Sequence, residues 1–201
     1  TQGVSSAASD VYKRQGYYGG MHSFDIATGA NNWFAPLPQH DRWTPAVSGT
    51  HAFAFMPDGL VAIDAATGTP AFTIAEPDAA ALGFSFEGAP MLGSNGNVIV
   101  IAGPTSGGLS NRLVNFDTVN RSIRWLIPGS FRYSPAIADG VIYAVNGAQL
   151  EARRESDGAR LWGWHPDEPT VDPFTVPDAG MAPNVIVTRN LVFVTTNSRL
   201  Y

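Results

Sequence analysis

Residues 24–33, FDIATGANNW, and residues 63–72, IDAATGTPAF, share one pattern: an Asp, a Gly four positions later, and an aromatic residue four positions after the Gly. Two weaker copies occupy the same spacing, and their residues are Asp117, Arg121 and Trp125, followed by Arg154, Gly158 and Trp162. A pattern that returns about every 40 residues is typical of stacked or radial repeats. The sequence therefore predicts several copies of a single structural unit.

A proline marks the beginning of each unit, as expected for the first residue of a strand, which need not donate a ladder hydrogen bond. The four prolines are Pro45, Pro90, Pro135 and Pro183. The interval from Pro45 to Asp64 is 19 residues. The interval from Pro90 to Asp117 is 27 residues, and the surplus falls in the glycine-rich stretch 103–110. We interpret this stretch as an insertion between two strands.

Each unit is predicted to contain four short strands, A to D, separated by pairs such as Asp139-Gly140 and Asn146-Gly147 that favour tight hairpins. The strands expected in the clearest unit are 134–138, 141–145, 149–154 and 160–164. Those of the earlier units are 46–48, 52–56, 60–64 and 71–75, then 90–92, 98–102, 112–117 and 122–127. Residues 17–34 are expected to supply strands C and D of a partial unit, and residues 183–201 to supply A, B and the start of C. No helical periodicity exceeds about two turns, which favours an all-β fold.

The composition narrows the class of protein. The chain has 201 residues, 44% of them hydrophobic, and a net charge of -5, which indicates a soluble domain with a substantial core. The mild acidity argues against nucleic-acid partners, since phosphate binding needs clustered basic residues. No stretch approaches the roughly 18 apolar residues of a transmembrane segment. The absence of Cys excludes disulfides, thiol nucleophiles and Cys-ligated metals.

Residues 1–15 are predicted to be a non-native or disordered leader, and the fold is assigned to residues 16–201. The segment 5–15, SSAASDVYKRQ, resembles the conceptual translation of a sequencing-library adapter. It contains Lys13, the only lysine of the chain. At the other end, the sequence stops 18 residues after Pro183, just as another Asp-type turn is due, so we expect a truncated C-terminus.

The string A-x-D-x-x-T-G-x-x-x-W resembles the repeat of pyrroloquinoline-quinone-type (PQQ-like) β-propellers, and the resemblance extends over residues 16–201. The better copies are Ala62, Asp64, Thr67 and Gly68 with Phe72 in place of Trp, and Asp25, Thr28, Gly29 and Trp33 with Ser23 in place of Ala. The resemblance implies a propeller of four-stranded antiparallel blades, three complete and two partial. Gly suits the positive φ of the C–D turn, Asp and Thr hold that turn, and the aromatic residue packs between blades. The repeat residues are therefore interpreted as determinants of the fold and not of catalysis.

The resemblance leaves two functional readings open. Some relatives are dehydrogenases that hold PQQ and calcium at one axial site, with an Asp base and often a vicinal disulfide. Others are non-catalytic, such as the propeller lipoprotein of outer-membrane barrel assembly. Since this chain has no Cys and no recognisable calcium ligand set, we favour a scaffold without a cofactor, which binds protein or polysaccharide partners in the periplasm or outside the cell. The alternative is a fragment of a quinone-dependent alcohol or sugar dehydrogenase that uses PQQ and calcium.

The residues before each proline are the candidate binding residues, because the connection from strand D to the next strand A passes over the central opening of a propeller. These candidates are Arg42, Trp43, Phe86, Glu87, Arg132, Tyr133, Asp178 and Met181. Arg and aromatic side chains are enriched among interface anchors. The plainer interpretation is that they only fill or solvate the mouth of the central funnel.

Other chemistry-bearing residues give weaker signals. The four histidines, which show no metal-binding spacing, are His22, His40, His51 and His165. The acidic side chains of residues 165–178 have oxygen atoms suited to calcium, and they are Asp167, Glu168, Asp172 and Asp178. Because four prolines interrupt this stretch and the EF-hand pattern is missing, we favour a solvated loop. No metal site and no catalytic residue is predicted.

Overall fold

The computed structural model describes residues 11–12, 19–37, 45–56, 58–77, 89–103, 111–167, 172–174, 184–188 and 190–201. Sheet 1 consists of β1 (Val11–Tyr12), β2 (Gly20–Phe24) and β3 (Asn31–Pro36). Sheet 2 consists of β4 (Ala46–Val47), β5 (His51–Met56), β6 (Gly59–Asp64) and β7 (Pro70–Ala75). Sheet 3 consists of β8 (Met91–Leu92), β9 (Asn97–Ala102), β10 (Asn111–Asp117) and β11 (Ser122–Gly129). Sheet 4 consists of β12 (Phe131–Ala138), β13 (Val141–Asn146), β14 (Gln149–Arg154) and β15 (Arg160–Trp164), and sheet 5 of β16 (Val185–Val187) and β17 (Val192–Val194).

The sheets are arranged about a common centre. Within each sheet, every strand pairs antiparallel with the strand next to it in sequence. Sheets 2, 3 and 4 are therefore four-stranded meanders. The A strands of consecutive sheets contact one another, β4 with β8, β8 with β12, and β12 with β16. This arrangement places strand A innermost, as in a propeller blade. The predicted all-β propeller is confirmed, with three complete and two partial sheets that do not close into a ring among the described residues.

The strand boundaries agree closely with the sequence prediction, with one informative difference in sheet 4. Strand β12 begins at Phe131, three residues earlier than predicted, so Pro135 lies inside the strand. The ladder with β13 shifts register between Arg132 and Ala136. A bulge of this kind leaves residues unpaired, which suits a proline that has no N–H to donate.

The two ends of the chain each contribute a partial sheet. Strands β2 and β3 supply the expected C and D strands, and β1, which lies inside the predicted leader, pairs with β2 through Val11–Ser23 and Tyr12–His22. The non-native origin of residues 1–15 remains a prediction. In sheet 5, Tyr201 exchanges two backbone hydrogen bonds with Val194 of β17. Tyr201 therefore lies where strand C is expected to start.

The core lies between the sheets, and sheet 3 is buried on both faces. All six residues of β9 are buried. Val98 and Val100 pack against sheet 2, whereas Ile99 and Ile101 pack against sheet 4. This explains why β9 is an uninterrupted apolar run and does not alternate with polar residues.

Each C–D turn of the repeat is closed by its own side chains. The Asp64 carboxylate accepts hydrogen bonds from the amides of Ala66 (3.0 Å) and Thr67 (2.8 Å) and from the Thr67 hydroxyl (2.9 Å). Gly68 follows with a φ of 73°, which L side chains rarely adopt. Donation from Thr67 lowers the pKa of Asp64, so the carboxylate stays ionised and the turn remains held.

The aromatic residue of the repeat joins one sheet to the next. The Trp33 indole N–H donates to the Ala65 carbonyl of the following sheet at 2.9 Å. The ring covers Gly68, where a Cβ would lie 2.6 Å from an indole carbon. Trp125 repeats this contact two junctions further on, between sheets 3 and 4, donating to Glu155 O at 2.8 Å. The predicted packing of the aromatic residue between blades is confirmed at these two junctions.

The junction between sheets 2 and 3 uses a different pair of residues. Phe72 stands where the repeat has Trp, and Arg121 stands where the turn has Gly. The Arg121 guanidinium lies 4.8 Å from the centre of the Phe72 ring. Arg121 also has a φ of 52° and therefore takes the glycine conformation of the turn. The two degenerate positions found in the sequence are thus partners in space.

Candidate functional site

The two predicted binding residues that the structure describes lie at one end of the sheets. We call the end that carries the B–C turns and the D-to-A connections the D–A face, and the opposite end, with the A–B and C–D turns, the A–B face. Arg132 and Tyr133 lie at the D–A end of β12, the innermost strand of sheet 4. The other predicted residues lie outside the described part of the chain, and they are Arg42, Trp43, Phe86, Glu87, Asp178 and Met181.

Arg132 is fixed by two partners on the D–A face. Its Nη2 donates to the Gly147 carbonyl at 2.8 Å and to the Asp172 carboxylate at 2.6 Å. The Arg132 side chain is 22% exposed and that of Asp172 is 32% exposed, while Arg132 Nε is buried and has no hydrogen-bond partner among the described residues. The guanidinium is therefore held in one orientation while part of it remains open to solvent.

Tyr133 holds the neighbouring connection in place. Its side chain is buried, and its hydroxyl donates to the Phe174 carbonyl at 2.6 Å. Its φ of 62° places a bulky residue in the left-handed region, at a cost of about 1–3 kcal/mol that the surrounding contacts must offset. Strained backbone of this kind clusters at binding and switch sites. Tyr133 therefore holds the segment 172–174 against β12, beside the partly exposed Arg132 side chain.

A second ion pair on the D–A face joins sheet 2 to sheet 3. Arg112 Nε donates to Glu76 Oε1 at 3.2 Å, and Nη2 donates to Glu76 Oε2 at 2.8 Å. The two side chains are 4% and 0% exposed, and Arg112 Nη1 is buried without a partner in the part of the chain that the structure describes. The sequence analysis missed this pair because nothing local links the end of one D strand to a C strand of the next sheet.

A groove of about 420 Å³ opens on the A–B face between sheets 2 and 3. It lies at the junction where Phe72 replaces Trp, and His51, Phe53, Thr118 and Val119 also line it. The His51 ring packs edge-on against Phe72 with centroids 5.4 Å apart. The substitution at the signature position therefore coincides with an opening between two blades.

Between sheets 3 and 4 the corresponding position is filled by Glu155. Its Oε1 accepts hydrogen bonds from the Ser94 amide (2.7 Å), the Ser94 hydroxyl (3.0 Å) and the Asn97 side-chain amide (3.0 Å). The Glu155 carbonyl accepts from the Asn115 side chain at 3.0 Å. Among the residues the structure describes, no partner reaches three buried oxygens of this layer: Glu155 Oε2 and the side-chain oxygens of both asparagines. This polar layer joins two sheets, and sequence reasoning did not identify it.

The remaining candidates have ordinary structural roles. The His22 ring packs on Phe34 with ring centroids 4.4 Å apart. His165 Nδ1 lies 2.7 Å from the carbonyl oxygen of Pro166. His40 lies outside the described residues. Of the acidic stretch, Asp172 pairs with Arg132 and Asp167 is exposed, while Glu168 and Asp178 lie outside the described residues. Across the part of the chain that is described, no three His, Cys, Asp or Glu side chains are grouped to hold a metal ion. That same part contains no helix long and apolar enough to span a bilayer.

The matches between this chain and known proteins come from comparison of structures. No protein-family model matches the chain, and no curated protein matches it in sequence. BamB from Moraxella catarrhalis superposes with a TM-score of 0.59 at 15% identity, over 95% of this chain and 68% of that one. A europium-containing methanol dehydrogenase gives 0.62 at 16% identity, over 94% of this chain and 47% of that one. The quinohemoprotein alcohol dehydrogenase from Comamonas testosteroni gives 0.67 at 17% identity, over 92% of this chain and 38% of that one.

These similarities establish the fold. The chain spans less than half the length of each of the two dehydrogenases and about two thirds of BamB. At identities below one fifth, a shared architecture carries no shared chemistry with it. The chain is therefore an arc of a β-propeller, with the fold seen in BamB and in these two dehydrogenases.

Proposed function

We propose that this chain acts as a non-catalytic propeller scaffold that binds a protein or polysaccharide partner in the cell envelope, in the periplasm or outside the cell. The observation that carries the proposal is the Arg132 guanidinium, held by Asp172 and Gly147 on the innermost strand of the D–A face. The similarity to BamB supports a scaffold of this architecture. It extends over 95% of this chain and 68% of BamB, a larger share than this chain covers of either dehydrogenase.

Pre-organisation makes Arg132 suited to recognition. A long side chain that is already immobilised loses less conformational entropy when a partner binds. A guanidinium carries five N–H donors in a planar fork. The two hydrogen bonds from Nη2 use only two of those donors. The expected partner atoms are oxygen acceptors, carboxylates of a protein or hydroxyl and carboxylate groups of a polysaccharide.

The second candidate is a quinone-dependent alcohol or sugar dehydrogenase, favoured by the TM-scores of 0.62 and 0.67 with two dehydrogenases. Such an enzyme would need PQQ and calcium. Glu76 and Asp172, two carboxylates of the D–A face, are each ion-paired with an arginine at 2.8 Å and 2.6 Å. Carboxylates held in this way do not fit a calcium ligand set, which draws on carboxylate oxygens directly. We therefore keep the scaffold as the proposal.

Site-specific photo-crosslinking tests the scaffold function. A photoreactive amino acid is placed at position 130, an exposed serine two residues before Arg132, or, as the control, at position 154, and each protein is exposed to a cell-envelope extract and to purified peptidoglycan. Arg154 lies on the opposite face of the same sheet and its side chain is 51% exposed. The proposal expects one defined adduct at position 130, absent at position 154, and lost when Arg132→Ala is added to the protein labelled at position 130. Equal labelling at both positions would contradict it.

A cofactor assay separates the two candidates. The protein is incubated with PQQ and calcium chloride, and reduction of an artificial electron-acceptor dye is followed with a primary alcohol and with an aldose. Dye reduction that depends on both PQQ and substrate would overturn the non-catalytic proposal in favour of the dehydrogenase. No substrate-dependent reduction, together with a defined crosslink at position 130 that requires Arg132, supports the scaffold.

A further inference from the structure

The polar layer between sheets 3 and 4 contains three buried oxygen atoms that no hydrogen-bond donor of the described residues reaches. They are Glu155 Oε2, Asn97 Oδ1 and Asn115 Oδ1. The three residues are 2%, 3% and 0% exposed, and both asparagines contact Glu155. Buried polar atoms in folded proteins almost always have a partner, so three together in one layer need a physical explanation.

Glu155 itself fixes the orientation of the two amide groups. The Nδ2 atom of Asn97 donates to Glu155 Oε1, and the Nδ2 atom of Asn115 donates to the Glu155 carbonyl, each at 3.0 Å. Turning either amide around would place its oxygen against an oxygen of Glu155. The amide oxygens are therefore the atoms left over, and both side chains lie on the face of sheet 3 that packs on sheet 4.

The Glu155 carboxylate also lacks a counter-charge in the part of the chain that is described. Arg153 is paired with Glu151, and Arg154 is paired with Asp157. The donors that reach Glu155 Oε1 come from Ser94 and Asn97, which are neutral. Buried charges in proteins are paired or coordinate metal ions, because an isolated charge is costly to remove from water. The layer therefore calls for a positive charge as well as for partners to its oxygens.

We infer that this layer binds one hard metal cation of the calcium type, through Glu155 Oε2 and the side-chain oxygens of Asn97 and Asn115. Carboxylate oxygens, amide oxygens and water are the ligands of Ca²⁺, which accepts irregular arrangements, whereas Mg²⁺ demands near-octahedral geometry and gives up its waters reluctantly. Ser94, which binds the other carboxylate oxygen, is exposed on the A–B face, so solvent lies close enough to supply water ligands. A site with a single carboxylate is expected to be weak, with a Kd of about 10⁻⁴–10⁻³ M.

The preceding junction shows that this layer is not a general requirement of the repeat. Thr118 follows Asp117 there as Glu155 follows Arg154, and its hydroxyl donates to the Gly96 carbonyl at 2.6 Å. His51 begins β5 where Asn97 begins β9. That junction therefore has no carboxylate and no amide oxygen at the two equivalent positions. The ion joins sheet 3 to sheet 4 on the A–B face, so the inference does not rest on the function proposed for the D–A face.

Terbium luminescence tests the inference directly, since Tb³⁺ resembles Ca²⁺ in size and in its preference for oxygen, and it emits when a neighbouring indole is excited. The indole Nε1 of Trp125 lies 2.8 Å from the Glu155 carbonyl oxygen, which places this ring beside the site. The protein is treated with EDTA, exchanged into metal-free buffer and titrated with Tb³⁺ under excitation of the indole. We expect saturable emission that Ca²⁺ displaces at about millimolar concentration and that Mg²⁺ at the same concentration leaves in place.

Stability gives a second readout that does not depend on luminescence. Urea denaturation is followed in EDTA and in about 10 mM CaCl₂ at matched ionic strength. With a Kd of about 1 mM, binding to the folded state alone should lower the unfolding equilibrium constant about tenfold. Trp125→Phe should lose the sensitised emission and keep this dependence on calcium, because phenylalanine is a poor sensitiser and the three oxygen ligands are unchanged.

Two matched glutamate variants locate the site. Glu155→Gln keeps the size of the side chain, removes its charge, and should abolish both the emission and the effect of calcium. Glu151→Gln is the control, because Glu151 is also buried, at 5% exposed, but is already paired with Arg153, so both readouts should remain. An unsubstituted protein without saturable emission and with the same stability in EDTA and in calcium would overturn the inference and assign the oxygens to buried water. An equal effect of magnesium, or equal losses in the two glutamate variants, would overturn it as well.

Discussion

The contact between Trp33 and Gly68 predicts how much one methyl group at a C–D turn should destabilise the fold. In Gly68→Ala the new Cβ would lie 2.6–2.7 Å from three atoms of the Trp33 indole. Overpacking of this kind costs about 1–3 kcal/mol. The φ of 73° adds about 1–2 kcal/mol for any L side chain. Together these terms predict a loss of about 2–5 kcal/mol in the free energy of unfolding.

Gly29→Ala is the matched control, since Gly29 has a φ of 70° in the same type of turn and nothing within 4 Å of its Cβ position. It should cost only the backbone term of about 1–2 kcal/mol. Urea denaturation followed by circular dichroism, at a concentration where both variants are monomeric, gives the two free energies. Equal destabilisation by the two substitutions would refute the claim that the indole rests on the turn of the next sheet.

Three further predictions concern the junctions and the turns. Phe72→Trp should destabilise the protein alone, Arg121→Gly should change its stability little because relief of the 52° φ offsets the lost contact with Phe72, and a double-mutant cycle measured by urea denaturation should give a favourable coupling of about 0.5–3 kcal/mol. Hydrogen bonds from Asn120 lower the pKa of Asp117 to about 2, so its stabilising contribution is complete above the ordinary carboxyl pKa and is lost as the pH falls from about 4 to about 2. Asp117→Asn should therefore flatten the acid-unfolding curve in that window, and an unchanged curve would count against the assignment. Arg112→Met should cost about 3–5 kcal/mol by leaving the Glu76 carboxylate buried and unpaired, and adding Glu76→Leu should recover most of that loss in thermal denaturation.

Several elements of the fold were predictable from the sequence because their information is local. The Asp, Thr and Gly of the two turns that keep the full pattern, at Asp25 and Asp64, contact one another within four residues, so their spacing repeats with the turn. Strand β14 was predicted to the residue because turn pairs bound it on both sides. Strand β12 was predicted to start too late, at residue 134, because Pro135 was taken to mark the beginning of the strand. The bulge that accommodates this proline depends on the register with β13, which the sequence does not state.

The candidate site was predictable only in part. The position before each proline pointed to Arg132 and Tyr133, and the structure describes both on the innermost strand. Asp172 was noted only as one of several acidic residues, and its pairing with Arg132 joins positions 40 residues apart. A proline-rich stretch gives no periodic signal from which such a contact can be inferred. The binding role of Arg132 therefore remains a prediction for the crosslinking experiment.

The sequence by itself determined the repeating unit, its strand order and the chemistry of its turns, since these depend on hydrogen bonds and packing within short stretches of chain. Only the tertiary structure decided which side chains join one sheet to the next. Glu76 with Arg112 and Glu155 with Ser94 join residues 36 and 61 positions apart in the sequence. Residue pairs this far apart produce no local sequence pattern. They meet only because two packed sheets bury them together. The same holds for Phe72 and Arg121, two departures from the repeat that make physical sense only because the radial stacking of the sheets brings them together.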